Sequence, residues 1–137
     1  MTTQELEATV PVVRSFRAHP ASLYQVRQFV RSQASTAALS QQVTDDLLLA
    51  TSEACVNAVL HSVSRTVRVS WKMADRCVEV SVHDQGVFQR RVPMPAIDEM
   101  GGRGILLMIA VMDEVSIHEG TPRAPGTVVR LVKCEPE

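Results

Sequence analysis

The stretch Asp45–His61, DDLLLATSEACVNAVLH, constrains this chain more than any other. It holds neither glycine nor proline and is rich in leucine and alanine, which predicts one long helix. Ser40 suits the N-cap position, and Asp45 and Asp46 fall in the early turns, where carboxylates complement the positive helix end. Glu53, Asn57 and His61 recur at i, i+4 and i+8, so they form one column. Ala50, Ala54 and Leu60 are its expected apolar neighbours. A neutral polar group in such surroundings costs about 1–3 kcal/mol, and a charge more, unless something pairs with it. Either the column lies on the solvated side of an amphipathic helix, or a ligand carrying a hard cation pairs with it.

The chain around this helix has 137 residues, which suits one domain with a real core. Residues 1–10 read as a flexible tail and 11–137 as the domain. Apolar residues make up 45% and charged residues 21%, an ordinary soluble balance. A net charge of -1 gives no electrostatic case for nucleic acid or an anionic membrane. No apolar run approaches the ~18 residues needed to span a bilayer. The N-terminus, MTTQELE, has no basic n-region and no apolar h-region, so no signal peptide is expected and a cytoplasmic location is. Cys55, Cys77 and Cys134 are an odd, scattered set without metal-type spacing. Reduced thiols are the expectation, with Cys55 packed as a small hydrophobe.

Periodicity places the remaining elements. Val12–Arg17 reads as a short strand. Pro20 can open a helix, and Leu23, Val26, Val30 and Ala34 give roughly 20–37 an apolar helical face. The opposite face, with Gln25, Arg27, Gln28 and Arg31, is either solvated or a docking surface for a partner. Val67, Val69, Trp71 and Met73 alternate with polar residues, as do Val78, Val80 and Val82. The short turn Ala74-Asp75-Arg76 between them predicts an antiparallel hairpin. Residues 84–102 hold three glycines and two prolines and read as a loop. Helix returns over 103–113, and strands are expected at 114–119 and 127–133. Helices combined with adjacent antiparallel strands predict a two-layer α/β (α+β) sandwich, with helices on one face of a mixed, mostly antiparallel sheet.

Three further stretches carry chemistry. In Asp84-Gln85-Gly86, an acid at a strand end followed by x-Gly puts a carboxylate at the sheet rim, where it can accept from an exocyclic amine such as that of adenine. By itself Asp-x-Gly is also a common turn. Gly101-Gly102-Arg103-Gly104 is a glycine-rich run into a helix start, where backbone N–H groups and the helix dipole favour phosphate. Gly126-Thr127 opens the last strand and gains meaning only beside the other two.

Taken together, Glu53/Asn57, Asp84-x-Gly86, Gly102-Arg103-Gly104 and Gly126-Thr127 resemble the nucleotide-binding boxes of the GHKL ATPase superfamily, over roughly residues 40–133 and in the same order. SEACVNAVLH, GGRGILLMIAVMDEV and GTVVRL are most similar to the short anti-sigma-factor serine kinases of the RsbW/SpoIIAB type. The resemblance implies the left-handed Bergerat sandwich, ATP or ADP as ligand and Mg²⁺ as cofactor. It implies Glu53 as general base toward a substrate serine and Asn57 as the Mg²⁺ ligand. It implies Asp84, Gly86 and Thr127 at the adenine, and Gly102, Arg103 and Gly104 over the phosphates. As partners it implies a sigma factor and a STAS-domain anti-anti-sigma factor, with a homodimer as the common assembly. Phe88 stands where many members carry the second glycine of Asp-x-Gly-x-Gly. His61 is not placed as a phosphoacceptor and is expected to be structural. The alternatives are a nucleotide-dependent binding module without kinase activity, an orphan catalytic piece of a sensor kinase, and an α/β domain without a ligand.

Overall fold

The computed structural model describes residues 10–61, 65–84, 102–121, 123 and 126–136. Five strands and three helices follow one another along it. These are β1 (Val12–Arg17), α1 (Leu23–Thr36), α2 (Gln41–His61), β2 (Thr66–Ala74), β3 (Cys77–Asp84), α3 (Gly102–Val111), β4 (Glu114–Glu119) and β5 (Thr127–Cys134). A single 3-10 turn, Pro20–Ser22, leads into α1, and the His19 side chain caps that turn by accepting from the Ala21 N–H. Residues 1–9 of the expected tail, together with Gly86 and Phe88, lie outside the described residues.

The central helix starts where its cap directs. Ser40 Oγ accepts from the Val43 N–H at 3.2 Å, and the Ser40 carbonyl accepts from the Thr44 N–H at 3.0 Å. Such a cap contributes about 1 kcal/mol. Helix α2 therefore begins four residues before Asp45, and Gln41 and Gln42 side chains donate to Asp45 and Asp46 one turn on.

The strands run in the order β1-β2-β3-β5-β4, and every pairing is antiparallel. The mixed sheet expected from the sequence is thus corrected to an antiparallel one. The reason is topological. The β3–α3–β4 connection joins two strands of the same direction, but β5 turns back and inserts between them. Asp75, at φ 53, makes the tight turn of the β2–β3 hairpin, a backbone conformation that Asp tolerates better than most residues.

Alternation then assigns the faces. Val67, Val69 and Trp71 of β2, Val78, Val80 and Val82 of β3, and Val129 and Leu131 of β5 are buried. The helices cover this face with Val26, Phe29, Val30 and Ala34 from α1, Val43, Leu47, Ala50 and Ala54 from α2, and Met108 from α3. Each fully buried Leu or Val side chain contributes roughly 1.5–3 kcal/mol. The other face is polar. Across it Glu79 pairs with Lys72 and Arg130, and Arg130 reaches Glu114.

The cysteines correct an expectation. Cys77 and Cys134 are opposite one another on the β3–β5 ladder and form a disulfide, while Cys55 alone is free and buried. The bridged pair is 57 positions apart in the chain. Only a long-range register brings them together, so spacing could not reveal the bridge.

Candidate functional site

Asp84 is the last residue of β3 and Thr127 the first of β5, and the two are cross-strand partners on the helix-covered face. Asp84 is only 2% exposed. The Thr127 hydroxyl is buried and makes no hydrogen bond among the described residues. A buried carboxylate and a buried hydroxyl thus share one rim of the sheet. That pair, an acceptor beside a hydroxyl that can donate, fits a heterocycle offering an exocyclic amine and a ring nitrogen. Gly126 makes this placement possible, because its φ of 129° admits no other residue without strain.

Glu53 and Asn57 lie one turn apart on α2 and are both half-buried. They stand at the border of the core, beside buried Ala50 and Ala54. Leu60, read as an apolar neighbour, is 66% exposed, so the column has solvent on that side. His61 ends the helix.

Gly102, Arg103 and Gly104 form the first turn of α3, where the expected loop was to run into the helix. The helix thus starts at Gly102 itself, and the N–H groups that have no partner within the helix belong to the glycine-rich run. Gly104 is buried against α2. A Cβ built on it would meet Glu53 Oε2 at 2.7 Å, with Glu53 Cβ and Cδ both at 3.6 Å. The acid of the column and the turn expected to hold phosphate are therefore in direct contact.

Two neighbours of the site escaped the sequence reading. Arg27 of α1 donates to Ser52 Oγ at 2.8 Å, next in sequence to Glu53. Arg27 is therefore tied to the central helix. His83 points to the opposite face from Asp84 and meets Arg68. Burial, then the Arg68 guanidinium, hold its imidazole below the usual value, and the Asp84 carboxylate opposes them in part. Neither contact has a local sequence signal, since both span elements.

Residues 16–133 match the family model described as a histidine kinase-like ATPase domain. The chain belongs to that family. A relative among curated proteins, the serine-protein kinase RsbW of Bacillus velezensis, is 32% identical over 105 residues, which is 65% of this chain and 63% of the relative. The chain thus spans less than two thirds of that relative's length. Among solved structures, the RsbU and RsbW domains of Rv1364c from Mycobacterium tuberculosis superpose with a TM-score of 0.69 at 22% identity. That alignment covers 92% of this chain and 32% of the other, and it shows a shared α+β fold. The histidine kinase-like family is the GHKL-type group to which the sequence boxes pointed. Among the described residues no helix is long and apolar enough to cross a membrane.

Proposed function

We propose that this protein is an ATP-dependent protein serine kinase and anti-sigma factor, which sequesters a sigma factor and phosphorylates a serine of a STAS-domain anti-anti-sigma factor. The contact between Glu53 and Gly104 carries this reading. It puts a carboxylate against the helix start best suited to phosphate, on a chain 32% identical to a serine-protein kinase. Residues 11–137 act as the single ATP-binding unit.

Each side chain then has a task. Asp84 accepts a hydrogen bond from the adenine amine, with Thr127 beside it and Gly86 assigned to the same pocket by the family resemblance. The N–H groups of Gly102, Arg103 and Gly104 face the phosphates. Asn57 supplies an oxygen to Mg²⁺. The charge neutralisation that phosphoryl transfer needs would come from that ion, held on the protein side by Asn57. Glu53 removes the proton from the substrate serine hydroxyl, whose oxygen attacks the γ-phosphorus as ADP leaves. Most of the catalysis is positioning, and two residues one turn apart on a rigid helix supply it.

The resemblance to the RsbW type supports the sigma factor and the STAS protein as partners, and a homodimer in a cytoplasmic setting belongs to the same proposal. Nucleic acid is not proposed as a direct partner of a chain with net charge -1. Incubation with γ-labelled ATP and a STAS-domain partner tests the reading. Label on a partner serine supports it. Binding of ATP without transfer would make the protein a nucleotide-dependent binding module instead.

A further inference from the structure

The β3–β5 ladder has Cys77↔Cys134 at one end and Asp84↔Thr127 at the other, with six pairs between. Along the strand these ends stand roughly 23 Å apart at about 3.3 Å per residue. In a ladder of period two, a slip of one residue turns every side chain to the opposite face. The register that the disulfide holds is therefore the register that sets Asp84 opposite Thr127. The bridge also closes a loop of 57 residues in sequence separation, which contains Asp84, the Gly102–Gly104 turn, α3, β4 and Thr127.

Nothing else ties that end of the ladder covalently. Among the described residues, hydrogen bonds hold the chain around and after Cys134. The Cys134 N–H donates to Asp113 at 2.6 Å, the Glu135 N–H to the Arg76 carbonyl at 2.6 Å, and Arg76 to the Pro136 carbonyl at 2.8 Å. The Ser40 N–H donates to the Glu135 carboxylate at 3.0 Å, which joins this segment to the cap of α2. The two bridging sulfurs differ in access, since Cys77 is 9% exposed and Cys134 is half-buried.

We propose that Cys77 and Cys134 are a reversible thiol–disulfide modification site, whose oxidised form pins the strand register on which the Asp84–Thr127 pair depends. The oxidant is a low-molecular-weight disulfide such as glutathione disulfide. The Cys134 thiolate, the more accessible, attacks one of its sulfurs and expels one glutathione thiolate. The Cys77 thiolate then attacks the protein sulfur of the mixed disulfide and expels the second. Two protein thiols are oxidised, one glutathione disulfide is reduced to two glutathiones, and the two thiol protons end on them. An excess of a small thiol runs the sequence backward. Cys55 stays out of the exchange, because burial raises its thiol to about 12 and keeps it from forming a thiolate.

The link to nucleotide affinity rests on the proposed function, whereas the bridge and its effect on stability do not. The test equilibrates the full chain with glutathione disulfide or with dithiothreitol and then alkylates it under native conditions before mass spectrometry. The oxidised form is expected to take label on neither Cys77 nor Cys134, and the reduced form on Cys134 first. Reduction is expected to lower Tm by about 10 °C and to weaken Mg·ATP binding several-fold. The double variant Cys77→Ser/Cys134→Ser is expected to melt with the reduced form under both treatments. Label on both cysteines after equilibration with glutathione disulfide, or equal Tm in the two redox forms, overturns the modification site. A Tm difference with equal Mg·ATP affinity overturns the register pin. Absence of Mg·ATP binding in both forms contradicts the proposed function, and the thiol and melting readouts still decide the bridge.

Discussion

Gly104 leaves room for the Glu53 carboxylate: a methyl group on this glycine would lie 2.7 Å from Glu53 Oε2. Two effects of Gly104→Ala oppose each other. Alanine in a helix is favoured over glycine by about 1 kcal/mol. The added carbon must also push aside the end of the Glu53 side chain, which is flexible and can move. The expected outcome is an unchanged or raised Tm with phosphotransfer lowered about tenfold. A variant that melts lower and transfers phosphate normally would contradict the contact's proposed role.

Glu53 itself is expected to matter for transfer and not for binding. Loss of a general base costs roughly 10²–10⁴ in rate. Glu53→Ala should keep nucleotide affinity within a few-fold and lose at least a hundredfold in phosphotransfer. Single-turnover assays with labelled ATP separate the two quantities.

His83 gives stability a pH dependence of known sign. Its folded-state value lies below the ordinary 6.5, so the unfolded chain binds the proton more readily. The contribution is present above about 6.5 and is lost as pH falls through the folded value. Tm of the wild type is expected to drop between pH 7.5 and pH 5, and His83→Gln should reduce that drop. Equal slopes in the two proteins would remove His83 from the account.

Lys133 joins three elements. Its ammonium lies 3.1 Å from Asp46 of α2 and donates at 2.7 Å to the Val111 carbonyl at the end of α3. Lys133→Met leaves a largely buried carboxylate and a carbonyl without this donor. With some solvent reaching both side chains, the expected loss is about 1–3 kcal/mol. Urea unfolding should show it as a lower midpoint with unchanged slope.

Local signals carried most of the fold. Alternation over Val67–Met73 and Val78–Val82, and the Ser40 cap before a glycine-free run, are short-range patterns that burial of one face enforces. Asp84 sits at the strand end where Asp-x-Gly suggested a sheet rim, although it belongs to β3 and not to the loop. The central column was legible because a helix brings i and i+4 together without help from tertiary structure. What stayed hidden depends on pairing between distant segments. The insertion of β5 between β3 and β4 makes the sheet antiparallel throughout its described strands, and the same register joins Cys77 to Cys134. Neither has a trace in any window of a dozen residues. The Arg27–Ser52 and Arg68–His83 contacts are hidden for the same reason.

Calorimetric titration of the full chain with Mg·ATP, beside the Asp84→Asn variant, addresses the central claim most directly. The account predicts saturable one-site binding in the wild type. It predicts affinity weaker by roughly 10–100-fold in the variant, the loss of a charge-assisted hydrogen bond of about 1.5–3 kcal/mol. Absence of ATP and ADP binding by the wild type in the presence of Mg²⁺ would contradict it.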